Sequence, residues 1–227
     1  MLQCIMKRRK AMEFKDVLYA RHSVREFCPD AVPEDTLREI VREAGRTPSW
    51  ENSQPWKVYI AYGESLKTIR RIFSDRADSK VKGNPDMPTQ HRIDFSRQSQ
   101  ENMAEFNRKL IDCTKDPELT DFRKGQGELF KASAVVYLTL PKNASQWSVY
   151  DLGAFGQMLL LAAKDHGVDS IPAYAYVMYP DVLRKELSIP DNEMISMGIG
   201  LGYPTNHPMN SFRSGRLEPE NYLILRC

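Results

Sequence analysis

The sequence predicts an α+β layered domain. Amphipathic helical stretches outnumber β-rich runs, no regular strand-helix-strand alternation of the doubly wound kind is present, and the longest apolar helix follows directly on the most β-rich run. A chain of 227 residues with 41% hydrophobic content can bury a substantial core unaided, so residues 13–227 read as one domain. Residues 1–12 read as a flexible basic N-terminus, with Lys7, Arg8, Arg9 and Lys10 behind a weakly apolar start. That order inverts the basic-then-apolar layout of a signal peptide, and no stretch approaches the ~20 apolar residues of a membrane span.

Taken in order, Glu13 to Ala20 predicts a short helix with Phe14, Val17 and Leu18 on one side. A clearer helix follows: Pro33 at the first position, Leu37, Ile40, Val41 and Ala44 at i, i+3, i+4 and i+7, and Gly45 as a left-handed cap. Trp56 to Ala61 predicts a strand, and Glu64 to Ala77 an amphipathic helix carrying Leu66, Ile69, Ile72 and Phe73. From Asp78 to Ser99 the chain turns polar, and Pro85 and Pro88 bar a regular helix there. Residues 78–125 as a whole read as an insertion or lid, within which helical spacing resumes at Met103, Phe106 and Leu110 and again after Leu119.

Ser133 to Leu140 predicts a core strand. Val149 to His166 is the strongest helix, with Val149, Leu152, Gly153, Gly156, Leu160 and Ala163 on one stripe and Gly167 as its cap. Gly153 and Gly156 permit close approach of another helix or a ligand. Ile195 to Leu201 predicts a further strand, and residues 205–227 an irregular C-terminal arm ending in the apolar run Tyr222 to Leu225.

Charge and cysteine content exclude several function classes. The 32 Lys and Arg nearly balance 30 Asp and Glu and are interspersed with them, leaving no basic stripe for nucleic acid. Cys4, Cys28, Cys113 and Cys227 form no C-x-x-C pair and have no His at ligand spacing, which points away from a metal site and toward a reducing, cytoplasmic setting.

Three clusters carry chemistry. Arg21-His22-Ser23-Val24-Arg25 places two guanidiniums and a hydroxyl where they can bind phosphate, although alone it equally fits a solvated basic turn. Thr47 to Trp56 is a proline-stiffened loop rich in donors and acceptors that suits a heteroaromatic or polyol ligand, or an ordinary connection. Asn210 to Arg216 brings Arg213 and Arg216 three residues apart in a Ser/Gly context, either as a second phosphate clamp or as a soluble arm. His91, His166 and His207 read as surface or capping residues.

The ordered set R-H-S-x-R, P-S-x-x-N-S-Q-P-W, A-S-A-V-V-Y-L, L-L-L-A-A-K-D-H-G, G-I-G-L-G-Y-P and N-S-F-R-S-G-R resembles the FMN-dependent nitroreductase family over Val17 to Tyr222. The resemblance implies a three-layer fold with a central mixed or antiparallel sheet flanked by helices. It also implies an intertwined homodimer with one FMN in each of two interface pockets. On this likeness Arg21, Ser23 and Arg213 hold the FMN phosphate, with His22 and Arg216 as helpers, and Arg25 reaches the pyrimidine edge. Pro48, Ser49, Trp50 and Asn52 reach the cofactor from the partner subunit, with Gln54 nearby, and Pro172, Ala173, Tyr174 and Ala175 lie along the ring edge near N5.

Two positions depart from the family's best-known branch: Gly125 and Glu128 stand where it carries a flavin-binding Asn and Lys, and Tyr174-Ala175 where it carries an acidic residue and a glycine.

The implied activity is hydride transfer from NADPH or NADH, by a ping-pong mechanism, to nitroaromatic or quinone-type acceptors. The flavin carries the chemistry, Arg25 tunes it, and no side-chain nucleophile is required. Trp50 and Tyr174 are candidates to stack on an aromatic acceptor, or else packing residues. Alternatives are another reduction on the same scaffold (dehalogenation or alkene reduction), a non-catalytic flavin-binding module, and an interaction protein without flavin.

Overall fold

The structure is a computed structural model and describes residues 12–227. The expected basic N-terminus lies outside the described residues, apart from Met12, whose amide donates to Asp165. Four strands, β1 (Lys57–Tyr62), β2 (Ala134–Pro141), β3 (Asp169–Pro172) and β4 (Glu193–Gly202), pair in the order β1-β2-β4-β3. All three pairings are antiparallel, and among the described residues the one parallel contact is a bridge from Ser23 to Ser170 on edge strand β3.

Strand β2 is buried along seven of its eight residues because both of its faces are covered. Ala134, Val136, Leu138 and Leu140 meet α2 (Glu34–Ala44) and α6 (Gln146–Asp165), while Val135 and Tyr137 meet the layer that holds α3 (Gly63–Asp78) and α7 (Pro180–Leu187). Its sequence therefore shows β-branched and aromatic residues without polar alternation. The outcome is three layers, with α1 (Phe14–Ala20) against α6 and α5 (Thr120–Gly127) against α3.

A bulge sets the face of β4. Leu138 pairs with Met197 and Thr139 with Ile195, so Ser196 is the extra residue and the side-chain phase flips there. Gly198, Gly200 and Gly202 consequently share a face, and the Tyr176 ring lies along it. A Cβ on Gly200 would overlap the Tyr176 hydroxyl and stand 2.6 Å from its Cζ; one on Gly198 would overlap Tyr176 Cβ. The G-I-G-L-G motif is thus a groove that seats Tyr176 and, at Gly202, Phe27.

Several expectations need correction. Pro33 precedes helix α2 with extended ψ instead of opening it, and Gly45 is right-handed (φ −62°), because its amide still bonds back to Val41 O. Strand β1 starts one residue later than expected, and α6 starts at Gln146, capped by the Ser145 hydroxyl. Gly167 is left-handed (φ +74°), as its spacing predicts. Strand β3 and helix α7 were not expected at all.

The insertion is tied down where it begins and again in its middle. Val81 O accepts from the Tyr179 hydroxyl (3.0 Å), Asn84 donates to Met178 O (2.9 Å), and the Asp86 carboxylate accepts from Arg184 and from the Ile195 amide. After an irregular stretch comes α4 (Arg97–Thr114), capped by Ser96, two residues before the expected limit of disruption. Helix α4 packs on the arm, where Phe106 meets Phe212 edge-on at 5.1 Å and Cys113 Sγ lies 3.3 Å from Ser211 Oγ.

Candidate functional site

The end of α1 delivers Arg21 to Arg25 to the sheet edge. The Val24 amide donates to Ser170 O (3.1 Å), so this segment runs beside β3, and Val24 itself is fully buried. The arm approaches from the other side and is fixed by Asn210. Its Oδ1 accepts from the amides of Arg25 (2.8 Å) and Glu26 (3.2 Å), and its Nδ2 donates to Glu26 O (2.7 Å) and Thr205 O (3.0 Å). A buried amide with every polar atom used in this way costs little and fixes register.

This latch joins the two arginine clusters. Arg21, His22, Ser23, Arg25, Arg213 and Arg216 line one cavity of about 610 Å³, with Gln157 of α6 as another wall. Burial and then the Arg216 charge lower the Arg21 pKa; burial and then Arg213 push Arg25 down to about 10. Like charges held half out of water favour an anion between them. Burial also holds His22 below its ordinary value, aided by Arg213 and Lys164 and opposed by its hydrogen bond to Ala20 O and by Asp169.

Arg25 is 7% exposed. Its guanidinium lies 5.6 Å and 5.2 Å from the Phe106 and Phe212 ring centroids, one N–H donates to Ser23 O, and its buried Nε has no protein partner. Arg25 thus lines this cavity with a largely buried cation, one of whose donors no described protein atom satisfies, and such a cation favours a polar ligand beside it.

A second cavity of about 300 Å³ adjoins along α6. It shares Gln157 and is walled by Gly153, Gly156, Pro172, Met197 and Met87 of the insertion. A Cβ on Gly153 would meet nothing within 4 Å, whereas one on Gly156 would meet Leu138 (3.5 Å) and Ile199 (3.9 Å), so within this protomer Gly153 opens on the cavity and Gly156 lies over the sheet. Beyond Pro172, Ala173 donates to Gly198 O, and Tyr174 and Ala175 open a 3-10 turn whose first amides have no partner within the turn. Ala175 is buried against the core and Tyr174 is 43% exposed.

The loop of Pro48, Ser49, Trp50, Asn52 and Gln54 does not reach the cation cavity of its own chain. It hangs from Asp151 of α6, which accepts the Trp50 amide (3.1 Å), about 9 Å along the helix from Gln157. Glu51 (φ 47°), Asn52 (φ 59°) and Gln54 (φ 44°) are left-handed, a costly backbone held by the Gln54 amide donating to Ser49 Oγ (2.9 Å). Trp50 is 66% exposed, so neither it nor Tyr174 is a core residue of this chain.

Gly125 packs under the backbone of Arg25 and against Phe130, while Glu128 turns to Lys124 and Lys131 beside a separate cleft with Arg70. Among the described histidines, His207 Nδ1 accepts the Met209 amide and His166 ends α6 beside Glu43. Sequence reasoning missed Gln157 and the latching role of Asn210. The available signal for Gln157 was a lone amide in the apolar run of α6. Among the described residues no group of His, Cys, Asp or Glu is placed to hold a metal, and no helix is long and apolar enough to cross a membrane.

The chain is similar in sequence and in fold to proteins of known activity. The nitroreductase NfnB of Mycolicibacterium smegmatis is 31% identical over 195 residues, covering 82% of this chain and 81% of that protein. The chloronitrobenzene nitroreductase of Comamonas testosteroni is 28% identical over 219 residues, covering 91% and 94%. The crystal structure of the FMN-dependent nitroreductase NfnB from Mycobacterium smegmatis in complex with NADPH matches with a TM-score of 0.86 at 27% identity, covering 94% of this chain and 97% of that one. The model of the nitroreductase family itself matches residues 18–203, from the end of α1 through β4, and the chain belongs to that family.

Proposed function

We propose that this chain is an FMN-dependent NAD(P)H oxidoreductase that reduces nitroaromatic or quinone-type acceptors, working as a homodimer with two interface sites. The observation that carries this reading is the convergence of Arg21, His22, Ser23, Arg25, Arg213 and Arg216 on one cavity that leads along Gln157 to Pro172. The residues suit FMN: a cationic pocket for a phosphate dianion, an unsatisfied Arg25 Nε, and open amides at Tyr174 and Ala175 for a heteroaromatic edge.

Bound FMN supplies a ring that accepts hydride from a nicotinamide and passes it to an acceptor. Arg21, Ser23 and Arg213 would hold the phosphate, assisted by His22 and Arg216. Arg25, its guanidinium flanked by Phe106 and Phe212 and shielded from water, would place a fixed cation at the pyrimidine edge and would favour negative charge there. Pro172 to Ala175 offers backbone groups along the opposite edge. The exposed loop of Pro48, Ser49, Trp50, Asn52 and Gln54 serves the partner's site, which accounts for a strained, polar loop left unused by its own protomer.

Two outcomes test this reading. Steady-state oxidation of NADPH by the flavin-loaded protein is expected to depend on added nitroaromatic or quinone, with parallel double-reciprocal lines at varied acceptor. A loaded protein that turns over none of these acceptors would instead be a flavin-binding module.

His22 adds a pH dependence. A phosphate dianion beside it raises a pKa that burial has lowered, so binding takes up a proton and FMN affinity rises as pH falls through the bound-state pKa of His22. Titrations at several pH values should show this slope in the native protein and lose it in His22→Gln. A flat native profile would remove His22 from the phosphate site.

A further inference from the structure

Helix α3 carries a polar stripe that the reading above does not use. Lys67, Arg70, Arg71 and Ser74 stand at i, i+3, i+4 and i+7, while Leu66, Ile69 and Phe73 are buried in the core. The stripe forms one wall of a cleft of about 440 Å³, and Glu128 and Lys131 form the other. Lys131 is brought there by three successive left-handed residues, Leu129 (φ 54°), Phe130 (φ 50°) and Lys131 itself (φ 59°), a strained backbone without glycine. The cleft shares no residue with either cavity of the flavin site or with the C-terminal arm.

Arg70 is the cation of this cleft that lacks a counter-charge. Its guanidinium is half-buried and donates to Ala132 O, and its buried Nε has no partner among the described residues. Glu128 acts on it from beyond ion-pair distance and is already shared by Lys124 (3.8 Å) and Lys131 (3.9 Å). The other groups whose charge would act on it are Tyr176 and Tyr137, both fully buried, and burial raises both phenols so far that they stay neutral. The Tyr137 hydroxyl also has no partner among the described residues. A guanidinium withdrawn from water, with neutral phenols near it and no carboxylate of its own, is best compensated by an anion entering from the cleft.

The remaining cations can turn to the same ligand. Lys67 pairs with Glu64 (2.6 Å) and Arg71 with Asp75 (3.4 Å), and both pairs are exposed and therefore weak. Lys131 pairs with Glu26 (2.7 Å) but keeps further donors, and Ser74 adds a hydroxyl. We propose that this cleft binds a phosphate dianion, carried by inorganic phosphate or by a small phosphate monoester, with Arg70 as its anchor and Lys67, Arg71 and Lys131 around it. Four cations stand against two carboxylates on the lining, and two neighbouring guanidinium forks suit a tetrahedral oxyanion. The assignment is independent of the flavin reading.

Calorimetric titration of the full chain with inorganic phosphate and with glycerol 3-phosphate, at constant ionic strength, tests it. The Arg21→Ala/Arg213→Ala double variant is titrated beside the native protein, because it disables the other candidate phosphate site. Binding with a Kd of about 0.1–1 mM is expected in both proteins. Arg70→Gln is expected to abolish it. Lys67→Gln/Arg71→Gln changes two exposed positions and keeps the test decisive if Arg70→Gln fails to fold; it is expected to weaken binding about tenfold with native-like melting in phosphate-free buffer. Tighter binding of the monoester supports a small phosphorylated compound as the ligand, and equal affinities support free phosphate. The proposal is overturned if native protein binds neither probe, if Lys67→Gln/Arg71→Gln binds as tightly as native protein, or if binding vanishes once Arg21 and Arg213 are removed.

Discussion

Gly200→Ala is expected to destabilise the protein by about 3 kcal/mol or more, a loss of roughly 6–12 °C in melting temperature for a chain of this size. The added methyl has nowhere to go, since Tyr176 Cζ is 2.6 Å from its position, Ala132 Cβ is 3.1 Å away, and both neighbours are fully buried. Either the ring leaves its groove or β4 separates from it. Because Tyr176 follows two residues after Tyr174, displacing the ring also moves the Pro172 to Ala175 segment, so flavin retention should fall together with stability. Combining the change with Tyr176→Phe removes the hydroxyl overlap and should recover part of the loss. A Gly200→Ala protein that melts within 2 °C of the native one would show that the groove is not as tight as described.

Arg213→Ala and Arg21→Ala are each expected to weaken FMN binding about 10- to 150-fold, the range for losing a charge-assisted contact of roughly 1.5–3 kcal/mol. The fold should survive both changes. Arg213 donates only to the carbonyls of Asn210 and Phe212 at the surface of the arm, and removing Arg21 relieves a repulsion with Arg216. The two effects should be less than additive, because each arginine shields the same anion. Quenching of FMN fluorescence gives the affinities and thermal melts verify folding. Native-like affinity in both variants would take the phosphate away from this cavity.

Local patterns were legible wherever the physics is local. Strand β2 shows as an apolar run of Ala, Val, Tyr and Leu interrupted by Thr139 alone because both faces are buried, and α6 shows as a helix whose end is marked by a left-handed Gly167. Strand β3 escaped notice because it has four residues, two of them Asp169 and Ser170, and owes its existence to pairing with β4. Helix α7 is only eight residues long, starts at a proline, and is stabilised by packing against α3 more than by its own pattern.

The arginine clusters were visible as separate stretches of sequence, but their meeting was not. It depends on Asn210 bonding to backbone 184 and 185 residues away, a contact no spacing rule contains. The glycines of G-I-G-L-G likewise become intelligible only once Tyr176 is seen lying on them. The resemblance to a known family supplied the order in which these pieces belong together, and the geometry supplies the reason each is needed.

The most direct test of the central claim, that the cation cavity is the phosphate end of a flavin site, is the visible absorbance of the purified native protein, recorded before and after anaerobic addition of NADPH and then of a nitroaromatic. The predicted result is a yellow protein that bleaches with NADPH and regains its band with the nitro compound, and whose colour is lost on dialysis from Arg21→Ala and Arg213→Ala. A colourless native protein that cannot be reconstituted with FMN would contradict it.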